Sequence, residues 1–382
     1  MIEKVETQFA HFSAGDDSLL LRGHGGVFGQ YTLAYETYGE LAPAADNAVI
    51  LFHALSGSQH AAGINKSIPG VGSLWTADCH RGWWNGFIGP GLALDTDKFF
   101  VICINFIGGC YGSTGPSSIN PDTGRPWGGS FPRITVNDIV DSQVALLKRL
   151  GIRRLHAAIG PSLGGMLALN LALRYPQMVE NVISLASGWQ LSVLQRILRL
   201  EQICAIETDP NFNQGDYYDG ARPDRGLSLA RMIAHKSYVS LSVLEARARD
   251  EVPRGFPDEP WRYQPQHAVE SYMIHHGEKF LTRFDANTYL RIAAAWQNFD
   301  ILRDVGADNV EELFKRAKGQ RYLVFSIDSD VCFYPDDQRS LIDLLKAADV
   351  SCQYITVHSD KGHDSFLLEP DLYSPHISFM LR

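Results

Sequence analysis

Ser162 stands in a Gly-Pro-Ser-Leu-Gly sequence, residues 160–164, between a short apolar run and a segment rich in helix formers. Glycines around a serine at a strand-to-helix turn remove the Cβ atoms that would clash there, so the hydroxyl projects into the open. Residues 155–159 predict the buried strand, and residues 166–173 predict the helix. The pattern predicts a nucleophilic serine; a structural serine in an ordinary turn is the alternative.

A serine nucleophile needs a base and a group that orients the base, and both follow it along the chain. His363 comes after the last predicted strand, where it would take the proton of Ser162 and return it to a leaving group. Asp328 and Asp330 follow the preceding predicted strand, and the residues alone do not separate them. The order serine, aspartate, histidine, each on a loop after a strand, indicates a catalytic triad.

Acyl transfer at a serine also needs donors for the negative charge that develops on the carbonyl oxygen. The backbone N–H of Leu163 is one candidate, because it lies at the predicted helix start and is free to point at an anion. The N–H of Leu55, in the loop after the predicted strand 48–53, is the second, with a plain strand-to-loop turn as the alternative. His60 precedes the serine in the sequence, and we interpret it as structural.

Three further polar residues are candidates for binding a substrate. Arg231 and Tyr238 are two turns apart on a predicted helix, a spacing that places both on roughly one face. A solvated arginine on a helix surface is the alternative. Asp364 directly follows His363, so it enters the same pocket if the predicted triad is correct.

Alternating strands and helices would position these residues. Continuous apolar runs at 48–53 and 99–104 predict strands that are covered on both faces, whereas residues 31–38 alternate like an edge-type antiparallel strand. Residues 138–150 predict an amphipathic helix. This alternation predicts an α/β fold, with a mostly parallel sheet flanked by helices.

Helical patterns dominate the stretch that separates Ser162 from the aspartate and histidine loops. We expect a core formed by residues 1–187 and 301–382, with residues 188–300 inserted as a helical lid domain. Such an insertion covers the pocket and determines the choice of substrate. An oligomerisation arm is the alternative, and the two roles can coexist.

Composition restricts the partners. The 382 residues carry a formal net charge of −9 without a block rich in lysine and arginine, which argues against nucleic acid and anionic membranes as partners. The first residues lack the apolar stretch of a signal peptide, so the predicted location is cytoplasmic. The six cysteines form no Cys-x-x-Cys pair, which predicts reduced thiols and indicates neither a metal site nor a disulfide framework.

The chain resembles the homoserine O-acetyltransferase family of α/β-hydrolases over nearly its whole length, because its motifs keep the family's order and spacing. The motifs lie at residues 35–41, 53–55, 82–84, 89–91, 108–118, 162–166, 283–287 and 362–364. The resemblance implies an α/β-hydrolase fold with a helical lid, commonly dimeric through that lid. It implies small-molecule substrates, with acetyl-CoA as a co-substrate rather than a bound cofactor.

The resemblance also assigns roles to residues. It implies Ser162, Asp330 and His363 as the triad, and so favours Asp330 over Asp328. In the family an acetyl group passes from acetyl-CoA to the serine and then to homoserine. The acceptor is held by an arginine, a tyrosine and the aspartate after the catalytic histidine, which match Arg231, Tyr238 and Asp364.

Departures from the family pattern gather in the predicted lid and near the pocket. Ile203 occupies a position where the transferases usually have arginine, Ala295–Asp300 replaces Ala-Leu-Asp, and Cys332–Pro335 replaces Leu-Phe-Pro-Pro. Some relatives of the family are esterases that give the acetyl group to water. Our main hypothesis is therefore a carboxylesterase that hydrolyses small acetate esters.

Two other hypotheses remain open at this point. Homoserine O-acetylation with acetyl-CoA is favoured by the retained Arg231, Tyr238 and Asp364, and it shares the acyl-enzyme of the esterase. A hydrolase-fold binding module is the third hypothesis, against which the complete set of serine, aspartate and histidine argues.

Overall fold

The computed structural model describes residues 2–13, 15, 18–23, 26–252, 254–256, 260–261 and 263–382. Its strands are β1 (Gln8–Phe12), β2 (Leu19–Leu21), β3 (Gly26–Phe28), β4 (Tyr31–Tyr38), β5 (Ala48–Leu51), β6 (Phe100–Ile104), β7 (Leu155–Pro161), β8 (Val179–Leu185), β9 (Arg321–Ile327) and β10 (Ser351–Val357). Eight of them form one sheet in the order β1-β4-β6-β5-β7-β8-β9-β10, and β2 pairs with β3.

The helices of the described residues cover both faces of the sheet and fill the stretch between β8 and β9. They are α1 (Val136–Arg149), α2 (Leu163–Arg174), α3 (Val193–Glu207), α4 (Asp224–His235), α5 (Leu241–Asp250), α6 (Ala268–Leu281), α7 (Ala286–Gln297), α8 (Ile301–Val305), α9 (Val310–Lys315), α10 (Pro335–Ala347), α11 (Ser365–Leu368) and α12 (Pro370–Met380). Each of these helices is too short or too polar to span a membrane.

The sheet is parallel from β6 to β10 and antiparallel at β1 and β4, which confirms the predicted α/β class. Residues 31–38 form β4 as predicted, but β4 is not an edge strand. β1 pairs with it from Gln8–Tyr35 to Phe12–Tyr31 and forms the edge instead. The short segment of β1 mixes polar and apolar residues, so its sequence gives a weak strand signal.

The apolar runs predicted as two-sided strands are buried on both faces. In β5, Ala48 and Ile50 face the layer that contains α1 and α2, whereas Val49 and Leu51 face the layer that contains α12. All four side chains are fully buried. Because successive side chains of a strand point to opposite faces, a strand covered on both sides must be apolar throughout.

Helix α1 begins two residues before the predicted start because a capping box fixes its first turn. The Thr135 hydroxyl accepts a hydrogen bond from the Asp138 N–H at 3.2 Å, and the Asp138 carboxylate accepts one from the Thr135 N–H at 2.7 Å. These reciprocal bonds satisfy N–H groups that the first turn of a helix leaves free.

The chain between β8 and β9 is helical, as the sequence pattern predicts, and it contains α3 to α9. We retain residues 188–300 as a proposed lid domain on a proposed core of residues 1–187 and 301–382. Within the predicted lid, positions 253, 257–259 and 262 lie outside the described residues, as do positions 1, 14, 16, 17, 24 and 25 of the core.

Candidate active site

Ser162 connects β7 to α2 in a backbone conformation that side chains rarely adopt, with φ 55° and ψ −127°. A Cβ at Gly160 would overlap the backbone of Gly164, and a Cβ at Gly164 would overlap the carbonyl oxygen of Phe52. The Ser162 N–H donates to the Leu185 carbonyl at 2.9 Å and ties the turn to β8. This strained, glycine-dependent turn has the geometry expected of a turn that exposes a nucleophilic hydroxyl, and the role of Ser162 stays a prediction.

His363 and Asp330 form a buried hydrogen-bonded pair. The His363 Nδ1 atom lies 2.7 Å from Asp330 Oδ2, and Asp330 Oδ1 accepts the N–H groups of Cys332 at 2.7 Å and Phe333 at 3.0 Å. Both carboxylate oxygens of Asp330 therefore accept hydrogen bonds. Since a carboxylate can only accept, the hydrogen lies on Nδ1 and leaves Nε2 free to accept a proton.

Asp328, the other candidate aspartate, lies on a different side of the loop. Its carboxylate accepts hydrogen bonds from His358 Nδ1 at 2.8 Å and from the Ser359 N–H at 3.1 Å. The Asp328 side chain is 42% exposed, whereas that of Asp330 is fully buried. The structure therefore brings Asp330, and not Asp328, to His363.

Ser162 and His363 are not hydrogen-bonded in this structure. The Nε2 atom of His363 is buried without a hydrogen-bond partner among the described residues. Catalytic hydrogen bonds are often long before substrate binds and shorten in the reacting complex. The structure thus shows the hydrogen-bonded pair of His363 and Asp330. Their roles as base and orienting carboxylate, and the proton transfer from Ser162, stay predictions.

Aromatic rings pack against the His363 imidazole. Phe333 stacks on one side with ring centroids 5.6 Å apart, and Tyr238 stacks with centroids 5.8 Å apart. Phe366 meets the ring edge-on at 5.2 Å. This packing restricts rotation of the imidazole and so fixes the direction of its free nitrogen.

Two of the sequence departures, at residues 295–300 and 332–335, supply Trp296 and Phe333 to this group of aromatic rings. Trp296 stacks on Phe333 at 5.7 Å, and the Arg199 guanidinium lies 3.4 Å from the centre of the Trp296 indole. Arg199 is buried and donates to Gln202 Oε1 at 3.1 Å. An arginine is absent at position 203, but α3 carries a buried one a turn earlier. The sequence analysis did not identify Arg199. Its four-residue spacing from Ile203, which places both residues on one face of a helix, could have indicated it.

The predicted oxyanion donors, Leu55 and Leu163, are both buried. The Leu163 N–H opens α2, where no intrahelical acceptor exists. Neither of the two N–H groups donates a hydrogen bond to another part of the described chain. Burial lowers the pKa of the neighbouring His53 to about 4, so that ring is uncharged at neutral pH. The role of these two N–H groups stays a prediction.

Arg231 and Tyr238 meet, but not on one helix as predicted. Helix α4 ends at His235, and Tyr238 lies in the following turn, where its N–H donates to the His235 carbonyl at 3.0 Å. The Arg231 guanidinium lies 5.2 Å from the Tyr238 ring centre and 4.9 Å from that of Phe280. Within the described chain this guanidinium has no hydrogen-bond or ion-pair partner, and burial lowers its pKa.

Asp364 lies beside these residues. Burial raises the pKa of its carboxyl, while the nearby His363 and Arg231 act in the opposite direction. Its N–H donates to the Tyr238 carbonyl at 3.2 Å. Gly362 has φ 65°, and a Cβ there would lie 2.6 Å from the Ser240 nitrogen. The backbone of the predicted lid therefore packs directly on the loop that carries His363.

A cavity of about 350 Å³ opens next to these residues. It is lined by residues 54 and 56–58 together with Trp83, Arg231, Phe280 and Arg283. Arg81 and Lys279 also line it, and the acidic Asp78 pairs with Lys279 at 2.9 Å. The cavity thus joins Arg231 to the loop around Leu55 in a positively charged surface, which favours anionic ligands.

His60 lines this cavity and is also part of a buried hydrogen-bond network. Its Nδ1 atom lies 2.7 Å from a carboxylate oxygen of Glu36, and both side chains are fully buried. The Asn65 side-chain amide donates to the same carboxylate at 2.9 Å. These contacts agree with the structural role that we expected for His60.

Comparisons with known proteins agree with this architecture. A family model for the alpha/beta hydrolase fold matches residues 47–370. Homoserine O-succinyltransferase from Laribacter hongkongensis is 42% identical, over 98% of this chain and 94% of the relative. Homoserine O-acetyltransferase from Solidesulfovibrio magneticus is 40% identical, over 96% of this chain and 90% of the relative.

Solved structures resemble the protein over its full length. Esterase E22 superposes with a TM-score of 0.87 at 27% identity, covering 99% of this chain and 100% of that chain. Homoserine O-acetyltransferase from Bacillus anthracis superposes with a TM-score of 0.84 at 28% identity, covering 99% of this chain and 98% of that chain. The predicted α/β-hydrolase fold is confirmed.

Proposed function

The chain belongs to the homoserine O-acyltransferase family of α/β-hydrolases, and we propose that it transfers an acyl group from an acyl-CoA to the hydroxyl of homoserine. The observation that carries this proposal is the identity of 40–42% with homoserine acyltransferases over nearly the whole chain. Esterase E22 is only 27% identical. The comparisons thus favour the alternative hypothesis over the main one of ester hydrolysis, and membership of an enzyme family argues against a binding module.

In the first half-reaction, Ser162 Oγ attacks the thioester carbonyl while His363 Nε2 takes the hydroxyl proton. The C–S bond breaks, and the departing sulfur of coenzyme A receives that proton from His363. The N–H groups of Leu55 and Leu163 bind the oxyanion; one such donor typically lowers the barrier by about 3 kcal/mol. Asp330 holds the imidazole in the required tautomer and stabilises its charged form.

In the second half-reaction, the homoserine hydroxyl attacks the acyl-serine carbonyl. His363 takes the hydroxyl proton and returns it to Ser162 Oγ as the serine ester breaks. Arg231, which lacks a carboxylate partner in the described chain, binds the homoserine carboxylate. Tyr238 and Asp364 bind its ammonium group. The insertion limits access of water, which would otherwise hydrolyse the acyl-enzyme.

We propose acetyl-CoA as the acyl donor. The relatives carry the names of both acetyl- and succinyltransferases, so succinyl-CoA is the alternative donor. Rates of homoserine-dependent coenzyme A release with each donor separate the two. A higher kcat/KM for succinyl-CoA than for acetyl-CoA would identify succinyl-CoA as the acyl donor. The proposed mechanism and acceptor would not change.

The acceptor is tested by comparing coenzyme A release from acetyl-CoA plus homoserine with hydrolysis of 4-nitrophenyl acetate. We expect transfer to exceed hydrolysis and Arg231→Ala to reduce transfer by about 100-fold. Hydrolysis should change little, because that ester has no carboxylate. Arg225→Ala, an exposed arginine on the same helix, is the matched control. Ester hydrolysis that exceeds transfer, with Arg231→Ala harmless to both, would restore the carboxylesterase hypothesis.

A further inference from the structure

A second cavity, of about 1030 Å³, lies between the helical insertion and the core. It is bounded by α7, by the end of α3 with the loop after it, and by the segment that leads into α1. Ser162, His363 and Arg231 are not among the residues that line it. It is therefore a different cavity from the one beside Arg231, and the proposed mechanism gives none of its lining residues a role.

The lining carries more positive than negative charge, with four arginines and two carboxylates: Arg22, Arg133, Arg291, Arg303, Glu207 and Asp304. Two of these arginines have partners. Arg303 pairs with Asp304 at 2.9 Å, and Arg22 pairs with Asp141, outside the lining, at 3.3 Å. Arg133 and Arg291 pair with no carboxylate of the described chain.

Arg133 and Arg291 both line the cleft and are close enough for their charges to interact. Arg291, on α7, donates to the Gly129 carbonyl at 2.9 Å, and its buried Nε atom has no acceptor among the described residues. Burial and the charge of Arg133 both lower the pKa of the Arg291 guanidinium, and Glu207 offsets them in part. Two like charges with unused donors are unfavourable unless an anion lies between them.

The backbone beside these arginines is strained. Asn213 and Gln214 line the cavity with φ 45° and 54°, and Gly215 follows with φ 94°. The N–H groups of Asn213 and Gln214 donate to no acceptor in the described chain. Left-handed conformations outside glycine are enriched at ligand-binding segments. Successive free N–H groups also form a common type of anion site.

We infer that this cleft is an anion-binding site that takes the phosphoryl groups of a phosphorylated small molecule. Two guanidinium groups and neighbouring N–H groups supply more donors than a single carboxylate uses, and they suit the oxygens of a phosphate. The cavity is larger than inorganic phosphate needs and admits a nucleotide-sized ligand. A ligand bound to Arg133 and Arg291 would connect the core to the insertion.

Isothermal titration of the full-length protein with pyrophosphate at constant ionic strength tests the site. We expect saturable binding that Arg133→Gln weakens about tenfold. Arg133 is exposed and bonded to no described residue, so its replacement should leave the melting temperature unchanged. Arg154→Gln, at another exposed arginine without described partners, is the matched control. No saturation at millimolar pyrophosphate, or equal affinity in Arg133→Gln, would overturn the inference.

Two sources carry this phosphoryl chemistry, the phosphorylated end of an acyl-CoA and a separate phosphorylated metabolite. Titration with adenosine 3′,5′-bisphosphate and the KM for acyl-CoA separate them. Tight binding of the bisphosphate, with a raised KM in Arg133→Gln, identifies the end of the acyl-CoA. Pyrophosphate binding with an unchanged KM identifies a separate metabolite. Because the titration measures binding without turnover, its result does not depend on whether the proposed function is correct.

Discussion

Asp330, and not Asp328, contacts His363, a difference that the residue types alone do not predict. Asp328 and Asp330 are two positions apart after one strand, so an extended chain would point both to the same side. The loop after β9 instead turns, and it buries Asp330 against the N–H groups of Cys332 and Phe333. That turn depends on packing with the chain around His363, which local sequence does not encode.

The two aspartates make a matched pair of variants. Asp330→Asn should lower kcat by about 10⁴-fold, because an amide at this position stabilises the wrong tautomer of His363. Asp328→Asn, at an exposed carboxylate, should leave kcat within about twofold of wild type by the same reasoning. Steady-state rates of both variants decide the matter, and the reverse ranking would assign the role to Asp328.

Strands and helices were predicted well where their own residues determine them. β5, β6 and β7 could be predicted as strands without knowledge of their neighbours in the sheet. Burial on both faces requires apolar residues along the whole strand, and their sequences show this pattern. The end of α4 at His235 was missed, since the residues that follow it are compatible with more helix. The Tyr238 ring still lies close to the Arg231 guanidinium. Tyr238 belongs to the turn after α4, however, and not to the same helix as the spacing predicted.

The turn between β7 and α2 gives a prediction for stability. Gly164→Ala places a methyl group against the carbonyl of Phe52 in a backbone that cannot move without shifting β5. We expect a loss of about 1–3 kcal/mol in the free energy of unfolding, together with lower activity. Gly220→Ala, where the nearest atom to the added Cβ is 3.9 Å away, is the control. Urea denaturation of both variants measures the difference, and equal stabilities would contradict the crowded turn.

An exposed apolar stripe on α3 is the observation from which we propose an assembly of the whole protein. Val193, Ile197 and Leu200 recur at helical spacing on α3 and are 75%, 49% and 55% exposed. A contiguous exposed apolar face is typical of protein–protein contacts. We propose that a second copy of the chain covers it, giving a homodimer through the lid. The cytoplasmic location predicted from the sequence stays a prediction.

Light scattering after size-exclusion chromatography tests the dimer. Ile197→Glu should produce a monomer, because it buries a charge in the proposed interface. Phe379→Glu replaces an exposed apolar residue of α12, on the core, and should leave the dimer intact. A monomeric wild-type protein would contradict the dimer. Dimers in both variants would show that the dimer interface lies outside the stripe on α3.

A covalent acyl group at Ser162 is the intermediate on which the proposed mechanism depends. Mass spectrometry of protein quenched soon after mixing with acetyl-CoA, without homoserine, measures this directly. We expect the mass of one acetyl group on the peptide that contains Ser162, its loss when homoserine is added, and its absence in Ser162→Ala. An unmodified Ser162 peptide while coenzyme A is released, or an acetyl group on another residue, would contradict the proposed mechanism.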